Sequence, residues 1–182
     1  YLQRRVPYEE GDPYTPAKVN ALRDRLTALG VFNSVRIKPA TALTDQGELP
    51  IDVEVTDRVP RTIGFGLSYE TILGFAVNGF WTHRNLFGDA ERLELSGAAT
   101  GLGGTATNAL GYDFSARLTK PDFLQRNQSL QTSAQALQQD LDAYSQRAFA
   151  TGLSVRRPLS DQWSASLGLS GIQERVRQEG VT

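Results

Sequence analysis

From residue 61 onward the chain alternates apolar positions with small or polar ones at a period of two, the signature of strands with one greasy face. In Arg61 to Glu70, Ile63, Phe65, Leu67 and Tyr69 share one face, while Thr62, Gly64, Gly66 and Ser68, all small, share the other. Phe75, Val77, Gly79 and Trp81 then alternate with Ala76, Asn78, Phe80 and Thr82. The pattern therefore returns after a tight turn near Ile72 to Gly74 and predicts a hairpin.

The alternation continues through Leu93, Leu95, Gly97 and Ala99, and then through Leu110, Tyr112, Phe114, Ala116 and Leu118. It resumes at Leu130 to Ala136 and at Phe149 to Val155, and closes with Trp163, Ala165, Leu167 and Leu169. About seven strands of near ten residues each result, the length that crosses a bilayer as a tilted barrel strand. The face opposite the apolar one carries Gly, Ser, Ala and Gln, with charge pairs such as Arg92 with Glu94 and Asp113 with Arg117, which suits a wet lumen. A soluble barrel or sandwich, with the apolar face turned into a core, is the alternative.

Before residue 61 the period changes. Thr15 stands as an N-cap with Pro16 at the first helical position, and Val19, Leu22, Leu26 and Leu29 follow at spacings of three and four. Gly30 is placed for a left-handed C-cap, so the pattern predicts a helix over about residues 16 to 29. Val35 and Ile37, then Ile51, Val53 and Val55, alternate with polar residues across the loop Ala40 to Glu48 and predict two strands over that helix. Tyr1 to Val6 reads as the end of an earlier helix stopped by Pro7.

Composition narrows the function. The 182 residues carry Lys+Arg 19 against Asp+Glu 20, a net charge of -1, so there is no broad basic surface for a phosphate backbone and nucleic acid is not an expected partner. With no Cys, thiol catalysis, disulfides and zinc ribbons are excluded. No apolar run reaches the roughly 18 residues of a membrane helix, so any membrane crossing is made by strands. His83 is the single histidine and has no nucleophile elbow near it. Beside Trp81 and Arg84 it reads as an interfacial residue. Gly101 to Thr105 lacks the lysine and following helix of a phosphate loop. Asp140 with Asp142, and Glu9 with Glu10, lack the spacing of a metal loop. No catalytic constellation and no cofactor are expected.

The turn His83 to Leu93, with Asn85, Leu86, Phe87 and Gly88, resembles the Asn-Leu-Phe-Gly turn after the second barrel strand of Omp85 outer-membrane proteins. Glu10 to Ile37 resembles the second half of a POTRA module, which in that family leads into the barrel. Lys120 to Leu124 (KPDFL) and Asp140 to Tyr144 (DLDAY) resemble the TamA branch of the family more than the BamA branch.

That resemblance implies a mainly β chain: the C-terminal part of a POTRA (α+β) module over residues 1–60, then antiparallel strands of a transmembrane β-barrel over 61–182, about seven of about sixteen. The family's late lumenal Arg-Gly-Phe motif has no counterpart here. By the same resemblance the protein sits in the bacterial outer membrane with its POTRA part in the periplasm, and assembles other β-barrel proteins, autotransporters among them. Its expected partners are the outer-membrane lipid bilayer, client β-barrel proteins and an inner-membrane-anchored TamB-like protein reached through POTRA modules. No reaction is implied. The first strand, Thr62, Ile63, Gly64, Phe65, Gly66, Leu67, Ser68 and Tyr69, is the implied gate that lends main-chain hydrogen bonds to a client strand. Its two glycines predict loose packing. An Omp85-type secretion pore with a rigid wall, or a BamA-like assembly protein, is the competing expectation, and a soluble β-barrel binding protein a more distant one.

Overall fold

The computed structural model describes residues 12–105, 109–142, 144–160 and 162–178. The expected helix tail at Tyr1 to Val6 and the pair Glu9 and Glu10 lie outside them.

The first unit is one helix on a two-stranded ribbon. Helix α1 spans Pro16–Ala28, β1 Phe32–Pro39 and β2 Ile51–Asp57. The three- and four-residue spacing puts Val19, Leu22 and Leu26 on one stripe, and this stripe is buried against Ile37, with Leu29, Phe32, Val35, Ile51 and Val53 around it. Leu22 and Leu26 are each 1 % exposed. The strands pair antiparallel with Val35 opposite Val55 and Ile37 opposite Val53, so their apolar residues share the face toward the helix. Thr15 occupies the N-cap in extended conformation, and its carbonyl receives the amides of Lys18 and Val19. Its hydroxyl makes no capping bond, so the helix start owes more to Pro16, with its fixed φ, than to the side chain. Gly30 takes φ 68° after the helix, as its position predicts.

The second unit is one antiparallel sheet in strict chain order. It comprises β3 Arg61–Glu70, β4 Gly74–Arg84, β5 Arg92–Gly103, β6 Gly111–Lys120, β7 Ser129–Leu141, β8 Tyr144–Pro158 and β9 Ser164–Gln178. Each strand pairs with the next, and β3 and β9 form the two edges. The registers carry the alternation across the whole sheet. One row runs Gly64, Phe80, Ser96, Ser115, Gln135, Ala150. An adjacent row, on the other face, runs Ile63, Trp81, Leu95, Ala116, Ala134, Thr151. Among the described residues nothing covers this second face: Phe65 is 81 % exposed and Leu167 is 80 % exposed. A soluble barrel or sandwich would bury these side chains in its core.

Three boundaries differ from the sequence pattern. β7 and β8 extend to Leu141 and from Tyr144, and β9 runs on to Gln178, nine residues past Leu169. There the outward positions become polar, so apolar alternation stops while the ladder of main-chain hydrogen bonds continues. Trp163 lies in the turn before β9, where its carbonyl accepts the amides of Leu159 and Ser160, and Leu110 precedes β6. Gly101 to Gly103 complete β5, so only the end of the expected glycine loop is loop. Gly74, at φ 77°, closes the β3–β4 turn with its backbone packed against Leu102 and Gly104.

Candidate functional site

Strand β3 pairs along its whole length with β4, and among the described residues no other strand pairs with it. Its glycines are not empty space. A Cβ at Gly64 would lie 2.4 Å from Cε1 of Phe80, the residue directly opposite, and a Cβ at Gly66 would lie 2.2 Å from Oδ1 of Asn78. The ring and the amide fold over the glycines, so the expectation of loose packing gives way to a cross-strand lock. Phe65 covers Gly79 on the other face, and Phe114 covers Gly97 in the same manner. Aromatic cover compensates for the side chain a glycine lacks.

The start of the edge strand is tied to the first unit. Arg84, at the end of β4, donates from Nη1 to Thr62 Oγ1 at 2.7 Å and to the Val59 carbonyl at 3.4 Å. Its amide donates to the Pro60 carbonyl at 2.7 Å, and the Arg58 amide donates to Val31 at 2.8 Å. A cleft of about 460 Å³ lies between the units, lined by Val31, Phe32, Val55, Arg58, Arg84 and Asn85.

Next to this junction stands the turn Asn85, Leu86, Phe87 and Gly88. Asn85 and Ala90 are left-handed at φ 68° and 62°, and Gly88 at φ 101°. Two side chains hold them there. Asn85 Oδ1 accepts the Ala90 amide at 2.9 Å, while Glu91 Oε2 accepts the amides of Phe87 and Asp89 at 3.3 and 3.1 Å. Lys120, from the end of β6, lies 3.7 Å from Glu91 Oε1. The Glu91 side chain is 2 % exposed and is the keystone of the turn, although the alternation gives it no role. The available signal was local: an acidic residue just after left-handed turn positions can accept their outward amides. Leu86 and Phe87 differ in placement, for Phe87 is exposed at the tip while the Leu86 amide bonds the Glu91 carbonyl.

The concave polar face carries short hydrogen-bonded pairs. Ser96 and Ser115 hydroxyls lie 2.7 Å apart, Gln135 donates to both carboxylate oxygens of Asp113, and Arg92 pairs with Glu94 at 2.8 Å. Arg117 stands opposite Glu94, and Asp113 is joined to Gln135 instead of to Arg117. His83 lies on the apolar face beside Trp81, ring centroids 5.7 Å apart, with Nδ1 unbonded among the described residues. No cluster of metal-ligating side chains occurs among the described residues.

A helix-capped ribbon leading into a meander with one uncovered apolar face defines a class: a POTRA-like module joined to barrel-type membrane strands. Family comparison gives the same class. The Omp85 superfamily domain matches residues 85–182, more than half of the chain, and the POTRA model, described as a surface antigen variable number repeat, matches residues 1–58. The chain belongs to the Omp85 superfamily. The outer membrane protein assembly factor BamA of Neorickettsia risticii (strain Illinois) is 33 % identical over 102 residues, covering 55 % of this chain and 14 % of that protein. The crystal structure of BamA from Haemophilus ducreyi lacking POTRA domains 1-3 superposes with TM-score 0.70 at 21 % identity, over 97 % of this chain and 33 % of that one. The chain thus spans a minor part of the length of either relative.

Proposed function

We propose that this chain is part of a bacterial outer-membrane protein that assembles and inserts other β-barrel proteins. In this reading residues 61–182 are barrel wall in the lipid bilayer and residues 1–60 a periplasmic POTRA part. The carrying observation is a helix-capped two-stranded ribbon leading into a seven-stranded meander whose outward face is largely apolar and uncovered among the described residues. A client strand adds to Thr62, Ile63, Gly64, Phe65, Gly66, Leu67, Ser68 and Tyr69 through main-chain hydrogen bonds, which accept many sequences because they read no side chain. Arg84, next to the Asn85 to Gly88 turn that Glu91 fixes, holds the start of this strand through Thr62, Val59 and Pro60. The work is binding and positioning, with no covalent step and no cofactor.

Among branches, BamA-type general assembly is supported by the BamA relative of known sequence. The TamA-type reading, with autotransporter clients and an inner-membrane-anchored TamB-like partner, is supported by KPDFL and DLDAY. These begin at strand ends on opposite sides of the sheet, Lys120 closing β6 near the POTRA side and Asp140 and Leu141 closing β7 far from it. Capture of an inner-membrane protein by the full-length protein's POTRA region would favour the TamA branch.

Single cysteines test the gate, since these 182 residues contain no Cys to compete and any elsewhere can be replaced by Ser. In the full-length protein, Ser68→Cys should form a disulfide with cysteines placed along a client's terminal strand, in a register that advances by two residues. Crosslinks only to other strands of the same barrel would make β3 a wall and favour the secretion-pore reading.

A further inference from the structure

On the outward face of β7, β8 and β9 the apolar rows end at two charged levels. On β8 the outward positions Phe149, Thr151, Leu153 and Val155 lie between Arg147 and Arg157. Arg147 stands directly opposite Gln138 on β7 and Arg175 on β9, while Arg157 stands opposite Ala165 at the POTRA end. Ten residues of antiparallel strand rise about 34 Å, which a tilt of about 40° reduces to about 26 Å along the membrane normal, close to the height of about 25 Å of an outer-membrane apolar band. The two arginine levels match two headgroup planes.

At the level far from the POTRA part, the charges are not balanced among the described residues. Arg147 and Arg175 form a directly opposed like-charge pair, an arrangement that destabilises a sheet when nothing lies between the charges. Arg177 stands on the next row of the same face, opposite Ser145. All three are exposed, and none has an ion pair or side-chain hydrogen bond among the described residues. Asp140, opposite Ser145 on β7, is an acidic side chain on that face and forms no ion pair with them among the described residues. Glu174 is directed to the other face, where it accepts from Gln146 at 2.7 Å.

We propose that Arg147 and Arg175, with Arg177 beyond them, bind the phosphate groups of lipids in the leaflet farther from the POTRA part, which is the outer leaflet. The inference rests on the membrane reading given above. Guanidinium forks match phosphate oxygens in pairs, and phosphate placed between the two forks removes their mutual repulsion.

The test uses the full-length protein in nanodiscs of phosphatidylcholine and bis-phosphorylated lipid A, with retained lipid read by native mass spectrometry. Each arginine near an anionic surface contributes about 1 kcal/mol, so R147Q with R175Q should lower retention of lipid A over phosphatidylcholine by about thirtyfold. Each single variant should lower it about fivefold, which keeps the test open if the double variant inserts poorly. Arg157→Gln, at the other rim, should leave retention unchanged. Undiminished retention in the R147Q and R175Q variants overturns the site. Equal binding of inorganic phosphate in discs without lipid A overturns lipid as its source. If β7 to β9 of the wild-type protein are cut by added protease in the discs, the membrane reading itself fails, and the site falls with it.

Discussion

Glu91 shows how a buried carboxylate can organise a turn without chemistry. Its Oε2 receives the amides of Phe87 and Asp89, neighbours of the left-handed Gly88, bonds that the backbone cannot make for itself there. Glu91→Ala should therefore cost about 1 to 3 kcal/mol in a urea titration of the folded protein, the penalty for stranding two part-buried amides. Lys120→Ala should cost less than about 1 kcal/mol, because that ammonium is nearly half exposed and sits 3.7 Å away. Equal losses would mean that the ion pair, and not the amide cradle, holds the turn. The glycines of β3 make a related point. Gly64→Val places a side chain where the Phe80 ring lies, so the ring must swing into the lumen before the strand gains from valine.

At the scale of elements, the registers turn each strand's alternation into two faces with different solvents. Phe114 lies outward and covers Gly97, while Ser115 faces inward and bonds Ser96. Phe114→Arg or Leu95→Arg should cost about 2 to 4 kcal/mol if these positions meet mid-bilayer lipid, and Ser115→Arg or Glu94→Gln far less. Folding titrations in phosphatidylcholine vesicles check this, and similar costs on both faces would remove the bilayer from the account. Helix α1 follows different energetics, since its stripe is sealed by a ribbon of two short strands. Leu22→Ala or Leu26→Ala should cost about 2 to 5 kcal/mol within the first unit, seen as earlier loss of helical circular dichroism.

At the scale of the molecule, the two units meet through few groups, with Arg84 the most connected. It bonds the linker carbonyls at Val59 and Pro60 and the Thr62 hydroxyl at the foot of the edge strand. Arg84→Ala removes the side-chain contacts and leaves the Pro60 bond, since that uses the amide. Amide exchange from Arg58 to Thr62 should then quicken about tenfold, the effect of one charge-assisted bond of about 1.4 kcal/mol, while β6 to β8 exchange as before. Uniform acceleration across the sheet would show that Arg84 supports the barrel strands and not the junction.

The residue pattern alone determined a helix over about residues 16 to 29, observed as Pro16–Ala28, the two-stranded ribbon, about seven strands and the division of each into two faces, because side-chain direction follows directly from a period of 3.6 or of 2. The turn motif and the POTRA-like half also carried the family resemblance. Tertiary structure decided what periodicity cannot encode. Strand ends past Ala136 on β7 and past Leu169 on β9 follow main-chain pairing after the apolar code stops. The cover of Gly64 by Phe80, and of Gly97 by Phe114, depends on register between strands. Arg147 meets Arg175, and Glu91 meets Lys120, only because distant segments are brought side by side. Such pairings depend on how strands align, and a single strand's sequence specifies its faces without specifying its neighbours' offset.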